Sequence, residues 1–363
     1  VPPIRTSPGR WRARCALTGV LTVVAVLCAM LPAGARSGLN WITLPSLPTA
    51  RYAPASAAAP CPRGQTGSCL YTVGGHGGTS VLATAESYNR STNAWSTLAN
   101  LPTPREALAA ASAPCPDGQS GTCVYALGGN GPGVILATAQ SYDPGTGAWS
   151  TVTSLPTARR YLAAASAPCP AGQTGTCVYA LGGYGSKVLA TVESFNPASR
   201  SWTTLASLPT ARWALGAAAA PCPAGQTGIC VYAVGGLGSS GDPTRTVESY
   251  NPVTRAWSQV TSLPTAQVAP GVAATSCPPG QTGTCVYSVG GTGPAAAVAR
   301  SFNPVTRAWT TLPSLPTPRQ EVGAAALPCP PGSTGNCVYI AGGYSGGALD
   351  TVEALDPPAT TGR

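Results

Sequence analysis

Charge is scarce in this chain of 363 residues, where Asp, Glu, Lys and Arg together make up only 9%. There is one lysine (Lys187), and the remaining positive charge is scattered arginine. Binding to a phosphate backbone needs clustered Lys/Arg to displace counterions, so no nucleic-acid partner is expected. Histidine is reduced to His76, which excludes a metal centre built from several imidazoles. Long apolar runs are equally rare, and none of spanning length follows the first 31 residues. Long helices are excluded by what is abundant, 44 Gly and 38 Pro. A hydrophobic content of 44% is nevertheless enough to fill a core.

The N-terminus has the layout of an export signal. Arg5, Arg10, Arg12 and Arg14 precede an apolar segment from Cys15 to Leu31, and Ala33-Gly34-Ala35 offers a small-x-small cleavage site. Residues 1–35 are therefore expected to be a signal peptide, with an uncleaved signal anchor as the alternative. With those four arginines set aside, 16 basic residues face all 11 acidic ones. The mature chain is expected outside the cytoplasm, secreted or periplasmic, touching a membrane only through an uncleaved leader.

Internal repetition decides the architecture. A Gly-Gly pair recurs at Gly74, Gly128, Gly182, Gly235, Gly290 and Gly342. Each unit passes the same stations, as the third shows: Leu155-Pro-Thr-Ala-Arg159, an Ala-rich stretch, Cys169 to Cys177, Val178-Tyr-Ala-Leu-Gly-Gly183, Thr191-Val-Glu-Ser-Phe-Asn-Pro197 and Trp202. Alternation, Asn-Pro turns and glycine punctuation predict four short strands per unit. Six such units fit a propeller, where radial repetition protects most strand edges.

These motifs resemble the kelch-repeat family, whose units of about 50 residues each form one blade. The resemblance covers roughly residues 40–357. It implies an all-β, six-bladed propeller over 36–357 with four-stranded antiparallel blades, followed by a tail over 358–363. The phase of the repeats adds a closure: Asn40–Leu44 should supply the outer strand of the last blade and pair around Val352–Leu355. The Ala-rich stretches Ala107–Ala113, Ala163–Ala167 and Ala214–Ala220 are read as innermost strands despite their helical propensity.

Twelve cysteines form pairs at constant spacing: Cys61 with Cys69, Cys115 with Cys123, Cys169 with Cys177, Cys222 with Cys230, Cys277 with Cys285, and Cys329 with Cys337. In an exported chain, pairs bracketing a hairpin loop imply disulfides. Two Cys without a nearby His make a poor zinc set. Ordinary kelch units lack this pair. Look-alike motifs carry little weight. Gly343-Tyr-Ser345-Gly-Gly347 fits a serine-hydrolase elbow, and Gly236-Leu-Gly-Ser-Ser-Gly241 fits a dinucleotide fingerprint. Both sit in repeat loops, not at strand-to-helix turns.

Differences among the units suggest one structural pair and one binding surface. Arg51, Arg105, Arg159, Arg212 and Arg319 are matched by Gln267 in the fifth unit. Glu86, Glu193, Glu248 and Glu353 are matched by Gln140 in the second and Arg300 in the fifth. The unit that lost its Arg is the one whose Glu became Arg, which predicts a same-blade Arg–Glu bridge crossing the second strand at its Gly-Gly. In kelch propellers the links before the first strand share one face with the loops after the second. There the repeats diverge, and Tyr52, His76, Glu106, Arg160, Tyr184, Trp213 and Tyr344 are expected to form a ligand rim, Trp213 as an exposed anchor. The function expected is a binding module for an extracellular protein or glycan, with no cofactor and no catalytic set. The resemblance also admits a carbohydrate-active enzyme of the sialic-acid mutarotase type, using Glu106, Glu321, Arg160 and His76, or a structural surface protein.

Overall fold

A computed structural model describes residues 38–116 and 120–356. The leader and the C-terminal tail expected from the sequence lie outside the described residues. Six four-stranded antiparallel sheets follow one another along the chain. The innermost strands are Ala55–Pro60, Ala109–Pro114, Ala163–Pro168, Gly216–Pro221, Gly271–Ser276 and Gly323–Pro328. In each of the first five blades the sequence then runs outward strand by strand. The sixth takes its outer strand from Asn40–Leu44, paired antiparallel with Val352–Asp356, Trp41 opposite Leu355. The ring is thus closed by hydrogen bonds between the two ends of the described chain.

Alanine in the innermost strands follows from crowding at the axis. Alternate residues such as Ala58, Ala110, Ala164 and Ala219 face a central channel, whose middle section encloses about 200 Å³. The remaining faces pack blade on blade, as where Tyr125 and Leu127 of the second blade meet Val178 and Phe195 of the third. Two of the Ala-rich stretches start later than expected, at Ala109 and Gly216. Ala107 and Ala214 belong instead to a ring of six residues with φ between 48° and 54°: Ala53, Ala107, Tyr161, Ala214, Ala269 and Glu321. Each donates its N–H to the carbonyl of the equivalent residue in the preceding blade at 2.7–3.1 Å, Ala53 closing the circle onto Glu321. A second circle runs round the outside. Every outer-strand indole, from Trp41 through Trp95 to Trp309, donates to a carbonyl of the neighbouring blade at 2.7–2.9 Å.

All six cysteine pairs are bonded within their own blade, each closing the loop between first and second strand. Cys61 joins Cys69, Cys115 joins Cys123, Cys169 joins Cys177, Cys222 joins Cys230, Cys277 joins Cys285, and Cys329 joins Cys337. The second member of each pair stands in the second strand, where Cys69, Cys230 and Cys285 are wholly shielded from solvent, as are Cys123, Cys177 and Cys337. Asp143 lies beside the Cys115–Cys123 bridge and Asp356 beside the Cys329–Cys337 bridge. These twelve residues staple the hairpins and take no part in the rim at the other end of the ring.

The four predicted bridges are present. Arg51–Glu86, Arg159–Glu193, Arg212–Glu248 and Arg319–Glu353 meet at 2.6–2.8 Å, fully buried. In the second blade Arg105 donates to the Gln140 amide oxygen at 3.0 Å. In the fifth, Gln267 turns to Ser288 and Gly290, while Arg300 points outward to Thr265 and Thr311. The glycine pair does more than leave room for the arginine. Both glycines have positive φ, and a Cβ on Gly74 would meet the Arg105 carbonyl at 2.4 Å. Gly75 donates to that same carbonyl at 2.8 Å, a stitch repeated at every blade junction. The carboxylate itself sits opposite Thr72, Ala180, Ala233 or Ile340, two residues before the glycines.

Candidate functional site

The end of the ring opposite the disulfide loops is built on a backbone template. The residue after each motif Arg exchanges two backbone hydrogen bonds with the residue after its own Gly-Gly: Tyr52 with His76, Glu106 with Asn130, Arg160 with Tyr184, Trp213 with Leu237, Gln320 with Tyr344, all at 2.7–3.2 Å. In the fifth blade only Thr292 donates, to Val268, because a 3-10 turn over Gly293–Ala295 redirects the loop. All seven rim residues expected from the sequence lie on this template.

Six of the seven side chains fall into two groups on opposite sides of the axis, and Glu106 stands apart from both. At the junction of blades six and one, Tyr52 stacks on His76 with centroids 4.9 Å apart and meets Tyr344 edge-on at 5.4 Å. At the junction of blades three and four, Trp213 meets Tyr184 at 5.9 Å and Tyr161 at 5.3 Å, both edge-on. The Arg160 guanidinium lies over Tyr184 at 5.6 Å and Tyr161 at 6.0 Å. Glu106, in blade two, accepts from the Asn130 amide at 3.0 Å. Trp213 differs from its expectation: it is half-buried between two tyrosines, and Tyr344, 39% exposed, is the open aromatic.

Between the groups the channel opens in a mouth of about 100 Å³ lined by the left-handed ring. Four of the six ring positions carry Ala. The other two carry Tyr161 and Glu321, in opposite blades, and the Tyr161 hydroxyl donates to Glu321 Oε1 at 3.3 Å across the axis. Burial pushes the Glu321 carboxyl above the usual carboxylate range; the Tyr161 hydrogen bond pulls it down, and the charge of Glu106 pushes it further up. Burial also holds the Tyr161 proton, helped by Glu321 and Glu106 and opposed by Arg160. Tyr52 feels both carboxylates as well, after burial. These groups thus act on one small space.

Tyr161 was absent from the expected rim, and Glu321 entered only through the enzymatic alternative. Both stand two residues after the motif Arg, where the other units repeat Ala. The outliers were readable in the aligned units; their meeting across the ring was not. His76 and Gly343–Gly347 are far apart in sequence, yet their blades are neighbours. Ser345 still sits in a loop bend, its N–H bonded to Gly347, with no helix behind it.

The family model for the kelch motif matches residues 64–102, 113–156, 165–209, 218–264 and 326–360. The fifth blade, with its Gln267, Arg300 and 3-10 turn, falls outside those segments. The chain is 30% identical over 202 residues to Kelch-like protein 35 of Mus musculus, covering 54% of this chain and 30% of that protein. It is 27% identical over 257 residues to Kelch-like protein 23 of Homo sapiens, covering 65% and 38%. The matched region thus spans well under half the length of these curated relatives. Among solved structures, that of YjhT superposes with a TM-score of 0.62 at 14% identity, over 88% of this chain and 98% of that one, a likeness of fold. With motif matches across more than half of its length and six blades to carry them, the chain belongs to the kelch-motif family.

Proposed function

We propose that this chain is an exported binding module whose ligand, a protein or glycan, seats on the mouth opposite the disulfide loops. One observation carries the reading. A backbone ring of sixfold regularity bears two aromatic groups facing each other across the axis, with Tyr161 and Glu321 at the two ring positions where the other blades carry Ala. Export is supported by the leader composition and by six disulfides, which persist in oxidising compartments. Among the described residues no helix is long and apolar enough to cross a membrane.

The test is a glycan-array and protein pull-down screen with the disulfide-bonded chain, repeated with Tyr184→Ala and Tyr344→Ala. Binding should be lost in both. Binding that survives them but is lost on changing the loops between first and second strands would place the site on the other face. Fractionation of cells expressing the natural gene, with N-terminal sequencing, tests export.

A second reading, a sugar-converting enzyme, is favoured by the cross-axis Tyr161–Glu321 hydrogen bond. A carboxyl with a raised pKa beside a phenol can move a proton. Accelerated anomer exchange of free sugars, followed by NMR and abolished in Glu321→Gln, would establish it.

A further inference from the structure

We propose that the mouth receives a cationic group of its ligand, an ammonium or guanidinium, between Glu321, Glu106 and the Tyr52–Tyr344 pair. The inference rests on reading this mouth as the ligand site, and it names the chemistry that the site selects.

The aromatic groups obey a twofold relation within the sixfold ring. Blade three contributes Arg160, Tyr161 and Tyr184, facing Trp213 of blade four. Blade six contributes Gln320, Glu321 and Tyr344, facing Tyr52 of blade one. The backbone template is the same in both halves, with paired bonds between Arg160 and Tyr184 and between Gln320 and Tyr344. In the first half a guanidinium already lies on the tyrosine faces, at 5.6 and 6.0 Å, so rings so placed can hold a cation. In the second half the equivalent residue is the neutral Gln320, although that half carries the carboxylate.

The charges point the same way. The buried carboxylates Glu86, Glu193, Glu248 and Glu353 each have an arginine at 2.6–2.8 Å and a threonine hydroxyl at 2.8–3.2 Å. Glu106 and Glu321 have no cation in contact among the described residues; their hydrogen-bond partners are Asn130 and Tyr161. Each keeps a second carboxylate oxygen for a donor. A cation between them would offset their mutual repulsion and the burial of Glu321. An anionic ligand would have to meet two carboxylates with Arg160 as counterweight. A bare divalent metal would find far fewer oxygens than the six or more that hard cations require.

Isothermal titration of the disulfide-bonded chain with agmatine and with butylammonium, against neutral butanol, tests this at low salt. Saturable binding of the two cations and none of butanol is expected. Glu321→Gln should weaken agmatine at least tenfold, and Glu106→Gln should weaken it less. Gln320→Arg supplies a resident cation by copying Arg160 into the second half; it should abolish agmatine binding while raising the melting temperature. The exposed-loop change Asp242→Asn should alter nothing. Butanol binding as well as butylammonium, no cation binding, or unchanged agmatine affinity in both Glu321→Gln and Gln320→Arg would overturn the proposal. If a screened ligand then still depended on Tyr184 and Tyr344, the rim reading would stand without it. Agmatine binding that needs Glu321, with no protein or glycan found, would leave the cation site standing and remove the rim reading.

Discussion

At the scale of single residues, stability rests on groups that are costly to bury and are paired with an opposite charge, as each buried Glu is with its own-blade Arg. Arg159 and Glu193 are fully buried and bonded to each other, so Glu193→Leu leaves a lone buried guanidinium and should cost about 3–5 kcal/mol in urea unfolding. The reverse experiment is available in blade two. Burial pulls Arg105, which faces an amide, down to about 10, and Gln140→Glu should recover about 1 kcal/mol through a charge-assisted bond. Glycines in the innermost strands record a different constraint. A Cβ on Gly216 would meet Val272 Cγ2 at 2.2 Å, so Gly216→Ala should lose about 1–3 kcal/mol by overpacking. Adding Val272→Ala should recover much of that loss, since the two sites are in contact. Glu321 has the opposite signature, that of a residue kept at the expense of stability. Its carboxyl holds its proton to higher pH in the folded chain than the ordinary 4.5, so its contribution is most favourable below that value and is lost as pH rises through the folded pKa. Glu321→Gln should therefore raise the melting temperature at pH 7, with the gain vanishing at pH 4. The Arg–Glu pairing was legible because one unit changed both partners together. The Tyr161–Glu321 pairing had no such compensating change to betray it.

At the scale of elements, the first two strands of each blade form a hairpin pinned at one end by a disulfide and at the other by the glycine stitch. Removing one pin by Cys169→Ser with Cys177→Ser should cost roughly 2.5 kcal/mol on loop-closure grounds, with the other five blades intact. The outer strands are held by their indoles. Trp309→Phe keeps the ring packing but leaves the Thr261 carbonyl without its donor, a loss of about 1 kcal/mol by chemical denaturation. Strand identity was readable from the repeat even where propensity argued against it, because alanine at the axis answers to space. Strand starts at Ala109 and Gly216 were not readable. A left-handed residue announces itself in sequence when it is glycine, and here four of the six are alanine.

At the scale of the whole molecule, the ring is only as strong as its closure. Deleting residues through Leu44 removes the outer strand of blade six and the Trp41 bond to the Pro313 carbonyl, and exposes the Val352–Asp356 edge. A loss of a few kcal/mol in a domain of this size corresponds to a drop of about 5 °C in melting temperature. A synthetic peptide of the deleted strand should restore part of it. If the truncated chain melts as the full chain does, the closure is dispensable.

The sequence by itself determined the number of blades, the strand order, the cysteine pairing, the same-blade ion pairs and the strand that closes the ring. Each is written as a repeated spacing, and repetition supplies its own internal comparison. Tertiary structure alone decided which residues face each other across the axis. Tyr161 and Glu321 are 160 positions apart and belong to no shared repeat station except the ring itself. Their meeting depends on the angle through which six blades turn, and a linear pattern of spacings does not contain that angle. The same reason explains why seven rim residues could be assigned to one face from the kelch resemblance, while the gathering of six of them into two opposed groups could not. Sides of a circle exist only once the circle is closed.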